Sequence, residues 1–438
     1  MLWLLWNVYL AFIASLVVST LIVIISGNSW GPIPHWYATF LIFIVERFSP
    51  KLRCEPPNGQ RLKIVDKRYS GKFANQILSR PLEDVDSDDE RPKAVDTDSP
   101  SLQLFDVQTE MLQAGVEAII QDDLLFTCDL APTTNWNALE PPPFNTLVQW
   151  TIYIALGLVR WFVLLPAKCG IFVSSLFWLT GCAVLAVIVK FDERQRLYIG
   201  RTFCRLFSAS TGLIGYYEKH SEHRPQKPGI AVSNHVSSND IMVLYSDPEN
   251  TGYTITGQKH SGIIGWVEKT SDYVASTLWM NRADAKDRTE FQKILLNYAT
   301  DKTKNPILLF PEGYCTNAVA VSQFRRGCFI ENVDVYPIAM RQDSRLGDAF
   351  WKEDTYLPYI LRLLTSYAII YHIKYLPSMR RKQNETAESF AYRVQKAIAE
   401  AFDADAIPFD LSLLKKKSEQ TQMFAKNQSK FAEFVSQM

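Results

Sequence analysis

Leu2 to Ile25 is apolar except at Asn7, Ser15, Ser19 and Thr20, and it carries no charge. About 20 such residues, rising 1.5 Å each, cross the hydrocarbon core of a bilayer, so the stretch predicts a membrane helix. No basic segment precedes it, and it exceeds the apolar run of about 7–15 residues found in a cleaved signal peptide, which weighs against removal. Trp36 to Phe48 is too short to span and is flanked by Arg47, Lys51 and Arg53. It predicts an interfacial helix with Trp36 and Tyr37 at the headgroup level. A third apolar block, Val148 to Val189, is interrupted by Pro166-Ala167-Lys168-Cys169-Gly170. It predicts a helical hairpin with a very short turn, spanning twice or dipping into one leaflet. Arg160 favours a shallow first helix, since a charge at mid-depth is costly. Two buried helices of a globular core are the alternative.

Basic residues follow both regions: Arg53, Arg61, Lys63, Lys67, Arg68 and Lys72 after the first, Lys190, Arg194, Arg196 and Arg201 after the second. By the positive-inside rule both flanks face the cytosol. Ser79 to Ser101 is acidic, proline-punctuated and almost free of large apolar residues, the pattern of a disordered linker in which Ser87 precedes an acidic run. Weak helical periodicity runs from Leu102 to Leu130. From about Thr202 helices alternate with short apolar strands, at Gly229–Ser233, Tyr253–Thr256, Ser276–Met280, Asn305–Phe310 and Asp334–Met340, as in an α/β domain. Leu411 to Phe434 reads as a basic, partly amphipathic helix. The expected organisation is a membrane or interfacial segment (1–50), a cytosolic region (51–146) holding the linker (79–101), the hairpin (147–190), a catalytic domain (191–410) and a tail (411–438).

Composition narrows the function. Lysine plus arginine (46) balance aspartate plus glutamate (46), so no bulk charge points to nucleic acid. Seven scattered cysteines without a CxxC pair argue for free thiols, against a disulfide frame and against a zinc site.

The chemistry gathers around His235 and Asp240. A histidine held by a carboxylate is a general base able to take a proton from a hydroxyl. Five positions place two side chains about 140° apart on a regular helix. Contact therefore requires His235 in the turn after a strand and Asp240 in the first turn of a helix, capped by Ser237, Ser238 or Asn239. Downstream, Phe310-Pro311-Glu312-Gly313 supplies a tight turn and a carboxylate after another short strand. Ligands in α/β sheets favour such strand ends.

The blocks SNHVSSND (233–240), WMNRADAKDR (279–288), ILLFPEGYCTN (307–317) and VDVYPIAM (333–340) resemble, in order and spacing, those of the glycerolipid acyltransferase superfamily. KNPILLFPEGYCTN, GDAFW (347–351) and LRLLTSYAIIYHIKYLPSM (361–379) are similar to its endoplasmic-reticulum glycerol-3-phosphate acyltransferases of the isoform 3 and 4 type. The resemblance implies an α/β catalytic domain with a central mixed sheet flanked by helices, preceded by membrane helices. It implies acyl transfer from acyl-CoA, a co-substrate, to the sn-1 hydroxyl of glycerol 3-phosphate, with no cofactor. His235 would be the base, Asp240 its partner, Arg282 the phosphate ligand, and Glu312 and Gly313 the shapers of the acceptor pocket. Lys259 and Arg288 are further candidates for the same anion, and backbone amides near these turns for the oxyanion. The implied location is the endoplasmic-reticulum membrane, or a lipid droplet, with the catalytic domain facing the cytosol. The bilayer is the implied partner, and self-association is left open. Tyr314 stands where the family usually has threonine, and Ser238-Asn239 where it commonly has a proline–aliphatic pair. A lysophosphatidate acyltransferase and an inactive membrane scaffold of the same fold are the alternatives.

Overall fold

The computed structural model describes residues 1–48 and 146–411, apart from 227, 251, 260–261, 281–284, 352 and 354. The acidic stretch 79–101, the helical pattern at 102–130 and the tail beyond 411 lie outside the described residues, as does Arg282.

The helices are α1 (Leu2–Ile25), α2 (Ile33–Phe48), α3 (Leu147–Val159), α4 (Leu165–Ile188), α5 (Glu193–Thr211), α6 (Asp240–Ser246), α7 (Gly262–Ser271), α8 (Ala285–Thr300), α9 (Tyr356–Thr365) and α10 (Ala387–Glu400). Seven strands form one sheet: β1 (Leu213–Glu218), β2 (Ile230–Ser233), β3 (Thr254–Gln258), β4 (Thr277–Met280), β5 (Ile307–Leu309), β7 (Val335–Asp343) and β8 (Ile369–Tyr375), in the order β1-β8-β7-β2-β5-β3-β4. A small parallel pair, β6 (Ala320–Val321) with β9 (Asp405–Ala406), stands apart. Only the β7–β8 junction is antiparallel, so the sheet is mixed, as the resemblance implied.

Both faces are covered, which is why the central strands read as continuous apolar runs rather than alternating ones. Ile230 and Val232 of β2 face α8 and α10, through Leu295, Ala299, Phe390 and Val394. Ala231 faces the opposite layer with α4, α5, α6 and α9. Helix α5 is set by a capping box, in which Gln195 N donates to Asp192 Oδ1 at 2.7 Å and Asp192 N to Gln195 Oε1 at 2.9 Å. It ends at Gly212, whose φ of +77° is costly for any residue with a Cβ.

The expected hairpin is corrected. Leu147–Ile188 is helical throughout its 42 residues, with a π-helical turn at Arg160–Leu164 and no turn at Pro166–Gly170. Pro166 lies in the first turn of α4, where its missing N–H is tolerated and the π-helical turn takes up the irregularity. The chain reverses instead after Ile188, and α4 packs antiparallel on α5, with Phe172 against Phe207 (5.8 Å) and Trp178 Nε1 donating to Ile199 O (3.2 Å). Both α1 and Leu147–Ile188 are long and apolar enough to cross a membrane. At 1.5 Å per residue the second would extend about 63 Å, twice the hydrocarbon thickness, so only part of it fits there. Its two cations are used inside the protein: Arg160 Nε donates to Thr365 O, and Lys168 Nζ to Ser366 O at 2.6 Å. Together they satisfy carbonyls at the C-terminal end of α9.

Helix α2 is also more than interfacial. Ala38, Leu41 and Val45 are buried against Ile214 of β1 and Ile370 of β8, while Trp36, Phe40 and Phe43 stay exposed. His35 Nε2 meets Gly215 O at 3.2 Å, and Glu46 pairs with Arg345. Leu41→Ala is therefore expected to destabilise the solubilised protein by about 2–5 kcal/mol, the cost of a core truncation. Thermal unfolding in detergent measures this; an unchanged midpoint would mean that α2 only rests on the bilayer.

Candidate active site

Parallel pairing of β2 with β5 aligns Val232 with Leu309, so the turns that follow both strands emerge side by side at one edge of the sheet. His235 follows β2 and Glu312 follows β5. The two turns lock together through Glu312 Oε1, which accepts from His235 N at 2.7 Å, and through Thr316 N, which donates to His235 O at 2.7 Å. Asn234 ties the same turn to β7, its amide giving and receiving hydrogen bonds of 2.8 Å with the Met340 backbone.

Helix α6 begins at Asp240, which brings its carboxylate back over the turn as the five-residue spacing requires. Asp240 Oδ2 lies 2.8 Å from His235 Nδ1 and accepts from Val236 N at 2.7 Å and Ser237 N at 3.1 Å. Oδ1 accepts from Ser237 N at 3.1 Å and Tyr371 OH at 3.0 Å. Of the caps expected from Ser237, Ser238 or Asn239, Asn239 at the N-cap position makes no side-chain capping bond, while Ser237 Oγ accepts from Asn239 N at 3.1 Å. In the neutral ring Nδ1, facing a carboxylate, carries the proton and Nε2 the lone pair. Phe310 stacks on the ring, with centroids 4.4 Å apart. Burial disfavours the imidazolium, yet the Cys315 sulfur and the Asp240 carboxylate outweigh it and hold His235 well above its ordinary pKa.

His235 opens onto a cavity of about 420 Å³. Gly313, Tyr314 and Cys315 line its mouth; Phe172, Leu176 and Leu179 of α4 and Phe203 and Phe207 of α5 form an apolar wall. Tyr245, one turn and a half along α6 from Asp240, and Ala275 line both this cavity and a second of about 320 Å³, which Arg196, Lys304 and Asn305 also line.

The remaining expected site residues divide. Gly313 lines the cavity with φ +75°, and a Cβ there would lie 3.1 Å from the Arg325 guanidinium. Lys259 follows β3 at the same edge of the sheet as His235, exposed, and is not among the residues lining the cavity. Arg282 falls outside the described residues, as do the side-chain surroundings of Arg288. Glu312 is fully buried and bonds the backbone of both turns: its second oxygen accepts from Ser322 N and Oγ at 2.9 and 2.5 Å. Arg325, which stacks over the Tyr314 ring at 5.7 Å, was not anticipated, although Phe324-Arg325-Arg326 follows the Pro-Glu-Gly turn closely. Tyr371 was likewise missed, since nothing local links it to Asp240. Among the described residues no three His, Cys, Asp or Glu side chains gather as a metal-ligand set.

Burial raises the Glu312 carboxyl from 4.5 to about 7, against the hydrogen bonds from Ser322 and His235. A carboxyl that binds its proton more tightly when folded takes stability away as pH rises through that interval. Wild-type protein is expected to lose stability between pH 4.5 and about 7 from this group. Glu312→Gln should lack that slope and be less stable by about 1–3 kcal/mol, because its amide meets donors. Unfolding midpoints across pH test both, and an identical pH slope in the variant would contradict the assignment.

Residues 217–341 match the acyltransferase family. Glycerol-3-phosphate acyltransferase 3 of Gallus gallus is 34% identical over 315 residues, covering 69% of this chain and 69% of the relative. Its namesake in Danio rerio is 35% identical over 326 residues, covering 72% and 71%. That of Xenopus laevis is 28% identical over 427 residues, covering 94% and 92%. Among solved structures, the 1-acyl-sn-glycerophosphate acyltransferase PlsC from Thermotoga maritima aligns at 16% identity over 57% of this chain and 94% of that one, with a TM-score of 0.40 that is too low to bear on fold or chemistry. By identity and coverage the chain belongs to the family of glycerol-3-phosphate acyltransferases 3 and 4.

Proposed function

We propose that this acyltransferase moves a fatty acyl group from acyl-CoA to the sn-1 hydroxyl of glycerol 3-phosphate, giving lysophosphatidate. The observation that carries this reading is the pair of half-buried His235 and buried Asp240 opening onto an apolar cavity in a chain of this family. His235 Nε2 takes the proton of the acceptor hydroxyl as its oxygen attacks the thioester carbonyl. Asp240 fixes the tautomer and stabilises the imidazolium, which then gives the proton to the departing CoA thiolate. A thioester is already activated, so neither an enzyme nucleophile nor a cofactor is needed. The acyl chain lies in the cavity against α4 and α5. Arg325, whose guanidinium lies over the ring of Tyr314 in the cavity lining, and Lys259 after β3 supply charge for the phosphate, with Arg282 the phosphate ligand that the resemblance implies. Helix α1 and Leu147–Ile188 anchor the enzyme in the endoplasmic-reticulum membrane, and the basic flanks leave the catalytic domain in the cytosol.

Membranes containing wild type or His235→Ala, offered acyl-CoA with glycerol 3-phosphate or lysophosphatidate separately, test the assignment. Lysophosphatidate should form from glycerol 3-phosphate, rise with pH as the imidazole loses its proton, and fall by about 10²–10⁴-fold in the variant. Transfer to lysophosphatidate alone would move the acceptor to the larger lipid. Folded protein without His235-dependent transfer to either would refute the enzymatic reading.

Chain length is a second test. Tyr245 OH donates to Tyr253 O at 2.8 Å, which pins the ring between the two cavities. Tyr245→Ala is expected to join them and shift preference toward longer acyl chains, measured by kcat/KM across a saturated acyl-CoA series. An unchanged profile would place the chain elsewhere.

A further inference from the structure

The loop after β5 is tied to His235 at both of its ends. Glu312 accepts from His235 N at 2.7 Å, and Thr316 N donates to His235 O at 2.7 Å. Gly313, Tyr314 and Cys315 are therefore a short bridge between two bonds to the backbone of the base itself. All three line the cavity onto which His235 opens. Tyr314 differs from the other aromatic residues of that lining, which are buried or half-buried: it is 48% exposed. Its ring borders both the cavity and solvent, the position of a residue at an entrance.

The ring face is occupied. The Arg325 guanidinium lies over it, 5.7 Å from the centroid, within the range of a cation–π contact. Two features of the same loop bring the guanidinium there. Arg325 N donates to Pro311 O at 3.0 Å, and Gly313 leaves the room, since a Cβ on it would lie 3.1 Å from the guanidinium carbon. A guanidinium with an aromatic ring on one face still presents its N–H edge to an anion, in a fork that suits a phosphate.

Glycerol 3-phosphate and lysophosphatidate share a phosphate and a free hydroxyl, and they differ in bulk. The first ends at three carbons. The second carries an acyl chain of its own, which needs a path while the hydroxyl approaches His235. With the donor's acyl chain in the cavity, that path runs out through the entrance, past Tyr314. We propose that Tyr314 selects the acceptor: its ring, held under Arg325, bars an acceptor that carries an acyl chain and admits a small phosphate monoester, whose phosphate meets the edge of the same guanidinium. Tyr314 acts by its bulk on the acceptor and through Arg325 on the phosphate, and takes no part in the proton transfer at Nε2. The inference rests on the glycerol 3-phosphate reading above and names the side chain that makes that choice.

The test uses the full-length protein in membranes, offered acyl-CoA with glycerol 3-phosphate or lysophosphatidate in separate reactions. Wild type is compared with Tyr314→Phe, Tyr314→Leu and Tyr314→Ala. The ratio of kcat/KM for lysophosphatidate to that for glycerol 3-phosphate is expected to rise by about tenfold or more in Tyr314→Ala and by less in Tyr314→Leu. Tyr314→Phe keeps the ring and should keep the wild-type ratio. KM for glycerol 3-phosphate should rise about 2- to 5-fold in the Leu and Ala variants, the worth of an exposed cation–π contact, with kcat within about threefold and the pH profile unmoved. A wild-type ratio in Tyr314→Ala would overturn the proposal. So would an equal loss of kcat toward both acceptors, which would mark a structural role of the loop acting through His235. Should Tyr314→Ala fail to fold, seen as a collapsed unfolding midpoint in detergent, the ratio in Tyr314→Leu decides in the same way. Wild type that uses both acceptors equally well would also overturn it, whereas wild type inactive toward glycerol 3-phosphate would remove the acceptor reading on which it rests.

Discussion

The site depends on one buried carboxylate. Asp240 is fully buried, and it collects two backbone amides, an imidazole and the Tyr371 hydroxyl. A charge in that position is tolerable only because every donor around it is aimed inward; hydrogen bonds to charged groups contribute about 1.5–3 kcal/mol each, and losing one leaves the rest exposed to the desolvation cost. Because the donors come from the turn after β2 and from β8, while Asp240 itself opens α6, the same carboxylate that orients His235 also fixes the distance between three elements.

Glu312 plays the matching part from the other side. It grips the His235 amide and Ser322, so the β5 turn is held against the β2 turn. Two carboxyls therefore serve His235 in different ways, Asp240 through the ring and Glu312 through the backbone. Their surroundings differ accordingly: Asp240 is compensated by four donors, while burial lifts the Glu312 carboxyl to about 7.

The membrane segment is part of this machinery rather than an attachment to it. Phe172, Leu176 and Leu179 of α4 wall the cavity, and Arg160 and Lys168 secure the end of α9, the helix whose first residues, Tyr356 and Tyr359, frame Trp351. Two cations inside an apolar run would be costly in lipid. Here they face carbonyls left over at a helix end, so the apolar run completes the end of α9. The same run thus offers apolar surface in two directions, to the cavity beside His235 and along its exposed outer side.

The sequence by itself determined the membrane-length helices, the strands at 230–233, 254–258, 277–280, 307–309 and 335–343, and the His235–Asp240 pair. These are set by local hydrophobic runs and by a spacing that only a strand–turn–helix can satisfy. It pointed wrongly to a turn at Pro166–Gly170, because proline and glycine punctuate loops but are tolerated in the first turns of a helix packed against protein. It read α2 as interfacial, since a helix apolar on both faces does not announce which face meets protein. Only the tertiary structure decided which backbone groups Glu312 grips, that Tyr371 completes the Asp240 cage, and that Ser238 and Trp351 share a cavity with His235. These pairings join residues 77 to 131 positions apart and more. Strand order across a mixed sheet brings them together, and no local periodicity encodes that order.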